Sequence, residues 1–282
     1  MKPLLCGLIG AGIQRSRSPA LHEGEAKAQG LQLEYRLIDL DVLGVGAEAL
    51  PGLLRDAAHE GYRGVNITFP CKQAVIPLLD AISEEARAIG AVNTVVIANG
   101  RLTGHNTDGP GWGWGFRRAL PGADLARVVL LGAGGAGSAC ADAVLRLGAR
   151  SLLIVDREIG RGAELAARMN AIHGPRCSAA GDLAQALAGA SGLIHATPTG
   201  MAKMPGLPLP ETLLHPRLWV SEIVYVPLET ELLRSAKLAG CRVMDGGHMT
   251  VGQAADAFRL FTGRDADAAR MDAHFRTLTA RP

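Results

Sequence analysis

The chain has 282 residues, of which 48% are hydrophobic, and its formal net charge is +2. This length can bury a sizeable core in one large domain or two modest ones, and we predict two. Lysine and arginine are scattered along the sequence, which lacks the basic stripe of a nucleic-acid binder, so no nucleic-acid partner is expected. No run of about 18 or more apolar residues exists, so no membrane span or membrane partner is expected either.

Cysteine usage indicates a reducing compartment. The five cysteines are odd in number, widely spaced and free of any C-x-x-C pair. This pattern predicts neither a disulfide framework nor a zinc site, and we expect no bound metal. The expected location is the cytoplasm.

The first part of the chain alternates strands and helices. LLCGLIG at 4–10 is short, apolar and glycine-ended, which predicts a buried strand, and SPALHEGEAKAQG predicts a helix with Pro19 in its first turn. LEYRLIDL, GVNITF and AVNTVVIANG continue the pattern to about residue 105. The alternation predicts a mainly parallel sheet covered by helices.

A second alternation begins at ARVVLLGAGGAG, residues 126–137. A helix, SACADAVLRLG, and a strand, SLLIVD, follow it, and SGLIHA, WVSEIVY and CRVMD are further strands before a helix from VGQAADAF. The fold class is therefore α/β with two domains. We expect the hinge near NTDGPGWGWGF, where glycines and a proline interrupt the pattern.

GAGGAG matches the G-x-G-x-x-G fingerprint of dinucleotide-binding loops through Gly132, Gly134 and Gly137. A strand precedes it directly and a helix follows, as the fingerprint requires. Gly132 would make the tight turn, Gly134 would admit the pyrophosphate and Gly137 would allow close packing of helix on strand. The alternative is a tight strand-to-helix turn without a ligand.

Asp156 ends the next strand, 24 residues after Gly132. A carboxylate at this position can accept both ribose hydroxyls of NAD and repels the 2′-phosphate of NADP. NAD is therefore the preferred cofactor. NADP is the alternative, because the guanidinium of Arg157 could bind the phosphate. Asp156 could also cap the following helix.

Four segments of the first half place small polar side chains at strand or loop ends. They are SRSP at 16–19, GVNITFPCK at 64–72, AVNT at 91–94 and GHNTDG at 104–109. Each can be read singly as a turn or a cap. Together, at the carboxyl ends of strands, they predict a crevice for a polyhydroxylated ligand.

Lys72 and Asp108 are the ionisable members of this set. If the fold brings them together, an ammonium beside a carboxylate can hold a hydroxyl and shuttle its proton while the carbon gives up hydride. The alternatives are a solvated lysine in the first turn of a helix and an aspartate that forms a turn.

These motifs, with GAVNTVV, ATPTGM, EIVYVPLETELL and GGHMTVGQAADAF, resemble the shikimate/quinate dehydrogenases in order and over nearly the whole chain. The resemblance implies a substrate domain of residues 1–109 with 249–282 and a Rossmann NAD(P)-binding domain of residues 110–248. It implies reversible hydride transfer between NAD(P) and shikimate, a small cyclic polyhydroxy carboxylic acid of aromatic amino acid biosynthesis. Quinate is a further implied substrate of the same kind.

The resemblance also assigns roles to residues. Lys72 and Asp108 match the catalytic pair, with Lys72 transferring the proton and Asp108 orienting it. Positions that match substrate contacts are Ser16, Ser18, Asn66, Thr68, Asn93, Gln253 and Tyr225. Positions that match the phosphate loop are Gly132, Gly134, Ala136 and Gly137, and those that match the nicotinamide surroundings are Thr197, Thr199, Val224, Gly246 and Met249.

Some residues depart from the common family pattern. Asp156-Arg157-Glu158 favours the NAD-using quinate/shikimate branch, whereas Ser18 is common in members selective for shikimate. His195 replaces a common Asn, which we interpret as a change at a strand end, with a cofactor contact as the alternative. The tryptophan-rich GPGWGWGF has no assigned function.

Two other functions fit the same motifs. One is a dehydrogenase of an amino-substituted shikimate in a secondary pathway. The other is a regulator that binds quinate or shikimate without turnover. The expected assembly is a monomer or a homodimer.

Overall fold

The computed structural model describes residues 2–280. Contacts within the chain divide it into two compact parts: the first unit runs to Thr107 and resumes at Val251, and the second unit is Asp108–Thr250. Each unit is an α/β structure built on one six-stranded sheet, which confirms the predicted fold class. The assignment of substrate binding to residues 1–109 with 249–282, and of nucleotide binding to 110–248, stays a prediction.

The first unit contains six strands and most of its helices before Thr107. The strands are β1 Leu4–Gly10, β2 Leu33–Asp39, β3 Tyr62–Ile67, β4 Ala81–Ile82, β5 Thr94–Ala98 and β6 Arg101–His105. The helices are α1 Ser18–Ala28, α2 Leu40–Leu43, α3 Leu50–Glu60, α4 Cys71–Ala74 and α5 Glu84–Ile89, with 3₁₀ turns at Ala47–Ala49 and Ile76–Leu78.

The second unit continues the numbering. Its strands are β7 Val128–Leu131, β8 Leu152–Val155, β9 Cys177–Ala179, β10 Gly192–His195, β11 Trp219–Glu222 and β12 Arg242–Met244. Its helices are α6 Asp108–Ala119, α7 Gly135–Arg146, α8 Ile159–His173, α9 Leu183–Leu187 and α10 Glu231–Leu238, with a 3₁₀ turn at Glu211–Leu213. Two helices then close the chain, α11 Gly246–Thr262 and α12 Ala268–Thr279.

The sheet of the first unit is mixed. Its order is β2-β1-β3-β5-β6-β4, and β5 pairs antiparallel with both β3 and β6. The sequence reading of AVNTVVIANG as one strand missed β6. Asn99 (φ 51°) and Gly100 (φ 74°) both adopt left-handed backbone, which is the two-residue hairpin turn that Asn-Gly favours.

The sheet of the second unit is parallel throughout, in the order β12-β11-β10-β7-β8-β9. Alternate residues of β7 face different cores, with Val128 and Leu130 on one side and Val129 on the other. Helices therefore cover both faces, as expected for a buried parallel sheet. The strand order reverses between β7 and β10, and this reversal is the Rossmann switch point, where ligands bind beyond the carboxyl ends of the strands.

The expected interruption at NTDGPGWGWGF was wrong, because residues 108–119 form the continuous helix α6. Trp112 and Phe116 lie one turn apart and are both buried, and the Trp112 indole donates to Ser221 Oγ at 2.9 Å. A Cβ on Gly115 would lie 2.7 Å from His248 Cβ, so the glycine permits close approach. Packing of this face outweighs the cost of helical glycine, about 1 kcal/mol per residue.

Two further features concern the helices and the cysteines. No helix within residues 2–280 has the length and apolar character needed to cross a membrane. All five cysteines are buried free thiols.

Candidate functional site

The glycine loop of the second unit connects β7 to α7. Gly132 has φ +105°, and a Cβ there would lie 2.7 Å from the carbonyl oxygen of Ala196, so only glycine fits this turn without strain. A Cβ on Gly137 would overlap the carbonyl oxygen of Gly132. The first turn of α7 therefore packs directly against the loop, as a dinucleotide-binding turn requires.

The N-terminus of α7 is suited to phosphate. Its cap residue is Gly134, and no side chain caps it. The first amide N–H groups of a helix have no intrahelical acceptor, and the helix dipole favours an anion there. This end of α7 therefore fits the pyrophosphate of a dinucleotide.

Asp156 follows β8 and is fixed by backbone amides. Its Oδ2 accepts from Ala133 N at 2.7 Å and its Oδ1 accepts from Glu158 N at 3.0 Å. The carboxylate is thus held beside the glycine loop, and each oxygen retains a second lone pair for a ribose hydroxyl. This arrangement fits the adenosine end of NAD.

Two arginines lie near this carboxylate. Arg157 is exposed, and Arg161 places Nη2 3.9 Å from where a Cβ on Gly134 would lie. Sequence reasoning missed Arg161. A basic residue in the first turn of the helix after Asp156 was the signal that could have identified it.

The predicted nicotinamide positions within the second unit lie on three converging segments. The Thr197 methyl lies 3.0 Å from where a Cβ on Gly132 would stand, and Thr199 N donates to Thr197 Oγ1 at 3.3 Å. Gly246, at the start of α11, abuts the carbonyl of Val224. Met249 is buried within the core of this unit.

A buried histidine–carboxylate pair underlies these segments. His195 Nδ1 lies 2.8 Å from Glu222 Oε1, and both side chains have no exposure to solvent. The interpretation of His195 as a strand-end change recognised its position but not its partner. Glu222 is 27 residues away, so no local pattern could reveal the pair.

In the first unit, a buried carboxylate shapes the loop that leads to Ser16 and Ser18. Asp39 accepts from Gly12 N at 2.9 Å and Ile13 N at 3.0 Å. Burial would raise the pKa of Asp39, but these bonds and one from Gln14 outweigh it and hold the pKa below its ordinary value. Ser16 Oγ and Ser18 Oγ lie 3.2 Å apart, both half-buried.

Asn66 and Asn93 belong to one buried hydrogen-bond network at the ends of β3 and β5. Asn66 Nδ2 donates to Thr94 Oγ1 at 2.9 Å, and Asn93 Nδ2 donates to Thr107 Oγ1 at 3.0 Å. Tyr35 OH donates to Asn66 Oδ1 at 2.7 Å. The network fixes the orientation of both amides, and sequence reasoning missed Tyr35 as a member.

The other predicted substrate and catalytic residues are distributed between the units. Lys72 lies half-buried in α4, and its carbonyl accepts from Val92 N at 2.9 Å. Thr68 follows β3 and Gln253 is half-buried in α11, both in the first unit. Two lie in the second unit: Asp108, buried at the start of α6, and Tyr225, half-buried after β11.

A parallel sheet whose strand order reverses, the glycine loop and the carboxylate after β8 together define a dinucleotide-binding α/β protein. Residues 8–95 match the family model described as the shikimate dehydrogenase substrate binding domain, and residues 248–274 match the shikimate 5′-dehydrogenase C-terminal domain. A shikimate dehydrogenase (NADP(+)) from Streptomyces avermitilis is 57% identical over 270 residues, 95% of this chain and 93% of that protein. The chain belongs to the shikimate/quinate dehydrogenase family.

Other relatives are named for NAD rather than NADP. A quinate/shikimate dehydrogenase (NAD(+)) from Corynebacterium glutamicum is 45% identical over 279 residues, 98% of this chain and 99% of that protein. A solved structure, quinate dehydrogenase from Corynebacterium glutamicum in complex with NAD, matches with a TM-score of 0.91 and 44% identity, with 98% of this chain and 99% of that chain covered.

Proposed function

We propose that this protein catalyses reversible hydride transfer between NAD and the ring hydroxyl of shikimate that becomes the ketone of 3-dehydroshikimate. Quinate is the second candidate substrate. The observation that carries the proposal is the fit of the second unit to a dinucleotide, in a chain matched over 95% of its length by a named shikimate dehydrogenase. We further propose action in the cytoplasm, as a monomer or a homodimer.

Recognition of the substrate is assigned to the polar residues of the first unit, together with Tyr225. Asn66 and Asn93 are already oriented by the buried network, so little side-chain entropy is lost when they bind a ring hydroxyl. The remaining assigned contacts are Ser16, Ser18, Thr68 and Gln253.

Lys72 and Asp108 are proposed as the catalytic pair. In the direction of ketone reduction, the Lys72 ammonium donates a proton to the ketone oxygen, and in the reverse direction the amine takes it back. A nicotinamide dinucleotide, when bound, donates or accepts the hydride. Asp108 is the carboxylate assigned to orient the lysine.

The cofactor preference rests on Asp156. Its carboxylate, held by two backbone amides, accepts ribose hydroxyls and repels a 2′-phosphate. Arg157 and Arg161 provide the opposite charge nearby. NAD is therefore proposed as preferred, with NADP as the weaker cofactor.

Initial rates at 340 nm with shikimate and quinate, each paired with NAD and NADP, test the proposal. The expected result is the highest kcat/KM with shikimate and NAD. Preference for NADP would overturn the cofactor assignment alone. No rate with any of the four pairs would overturn the activity and favour an amino-substituted substrate or a regulator.

The variant Lys72→Ala tests the catalytic assignment. We expect kcat to fall by about 10² to 10⁴, the usual worth of general acid–base action, with NADH binding unchanged. Lys27→Ala, an exposed lysine of α1 in the same unit, is the matched control. Full turnover in Lys72→Ala would contradict the assigned role.

A further inference from the structure

Glu222 and His195 form a fully satisfied polar cluster in the interior of the second unit. Glu222 Oε1 accepts from Val224 N at 3.0 Å and lies 2.8 Å from His195 Nδ1. Glu222 Oε2 accepts from Thr230 Oγ1 at 3.0 Å. Both oxygens of the carboxylate are therefore engaged, and the side chain has no exposure to solvent.

The cluster also holds the hydroxyl of Thr197. Because a carboxylate only accepts, the His195 ring donates to Glu222 from Nδ1. The other ring nitrogen, Nε2, lies 2.5 Å from Thr197 Oγ1 and forms a second hydrogen bond. The Thr197 hydroxyl is thus held between His195 Nε2 and the backbone amide of Thr199, which donates to it at 3.3 Å.

The ends of this cluster are two positions assigned to the nicotinamide surroundings. Thr197 receives its orientation from His195, and the backbone amide of Val224 is held by Glu222. The Thr197 methyl also lies against the turn at Gly132. The buried pair thus links the exits of β10 and β11, and Thr197 at the exit of β10 also contacts the turn of the glycine loop.

Stability alone does not account for such a pair. Taking a histidine and a carboxylate out of water costs free energy that their attraction commonly only offsets, and well-packed apolar residues often replace such buried pairs without loss of stability. Its effect on the geometry of Thr197 and Val224 is the property that an apolar pair could not supply.

We propose that Glu222 and His195 are positioning residues that fix Thr197 and Val224 to receive the nicotinamide half of the cofactor. The inference rests on the proposed function. It predicts that damage to the pair weakens binding of the nicotinamide half and leaves the adenosine diphosphate half unaffected, since that half belongs to α7 and Asp156.

The test compares two ligands in the full-length protein. NADH contains the nicotinamide ring, and ADP-ribose is the same molecule without it. If the protein prefers NADPH, NADPH and 2′-phospho-ADP-ribose take their places. Dissociation constants are measured by titration calorimetry for the unaltered protein, His195→Leu, His195→Asn and Glu222→Gln.

The matched control is His173→Leu. His173 Nε2 lies 2.8 Å from Asp142 Oδ1, so this is a second, largely buried histidine–carboxylate pair in the same unit, between α7 and α8. It makes none of the contacts with Thr197 or Val224.

For His195→Leu we expect the dissociation constant of NADH to rise about tenfold, the usual effect of losing one hydrogen bond. The dissociation constant of ADP-ribose should change by less than about twofold. His195→Asn and Glu222→Gln keep polar groups in the cluster and should recover part of the loss. His173→Leu should change neither constant.

Two results would overturn the inference. Equal weakening of both ligands in His195→Leu would mean general disturbance of the unit, and no weakening of NADH would mean that the pair does not act on the cofactor surface. If the unaltered protein binds neither NADH nor NADPH, the proposed function fails, and the inference fails with it.

Discussion

Because His22 is buried, we predict that the protein loses stability in mild acid. Its side chain lies within the first unit, stacked on Tyr35 with ring centroids 4.7 Å apart and close to Phe258 and Phe261. Nδ1 is buried and has no hydrogen-bond partner in the described part of the chain. Burial lowers the pKa of His22 from its ordinary 6.5 to about 3.

The sign of the effect follows from which state binds the proton. Below pH 6.5 the unfolded chain protonates this histidine and the folded chain does not, so the stability is complete above 6.5 and falls toward pH 3. At about 1.4 kcal/mol per pH unit, pH 5 removes about 2 kcal/mol relative to pH 7.

The variant His22→Leu tests this value, because leucine fills a similar volume without a titrating group. Urea unfolding followed by far-UV circular dichroism at pH 7 and pH 5 gives the free energy of unfolding for each protein. The variant should lose about 2 kcal/mol less than the unaltered protein over this interval. His59→Gln, an exposed histidine of α3, is the control. An equally steep loss in His22→Leu would refute the reasoning.

Two further substitutions test the site. Asp156→Asn removes the charge and keeps one of two amide acceptors, so the ratio of kcat/KM for NADP to that for NAD should rise by about tenfold or more; an unchanged ratio would assign cofactor choice to Arg157 and Arg161. Tyr35→Phe removes the donor to Asn66 Oδ1, so KM for shikimate should rise about 5- to 30-fold while NADH affinity stays constant. Unaltered shikimate kinetics in that variant would show that Asn66 needs no support from Tyr35.

Local patterns were sufficient to predict most of the elements and the turn at Gly132. The strand–glycine–helix order around Gly132 and the acid after the next strand are short-range signals, and the structure places both at one edge of the second sheet. Asn99-Gly100 was an equally local signal for a hairpin that the strand reading did not use.

The remainder depends on contacts between distant segments. Residues 108–119 look like a loop by composition, yet Trp112 and Phe116 make them a helix once a core exists to bury these rings. The partner of His195 becomes visible only when β10 and β11 are known to be neighbours with His195 opposite Glu222. Propensity cannot report pairings that the tertiary structure creates.

The second unit lies in the sequence between the two segments of the first, and this order affects folding during synthesis. The second unit is a continuous stretch, Asp108–Thr250, whereas one core of the first unit joins Cys6, Leu8 and Tyr35 to Phe261. Glu25 of α1 likewise receives Arg270 of α12 at 2.6 Å. Synthesis therefore delivers the whole of the second unit while the first still lacks part of its interior, so the unit that is begun first can be completed only last.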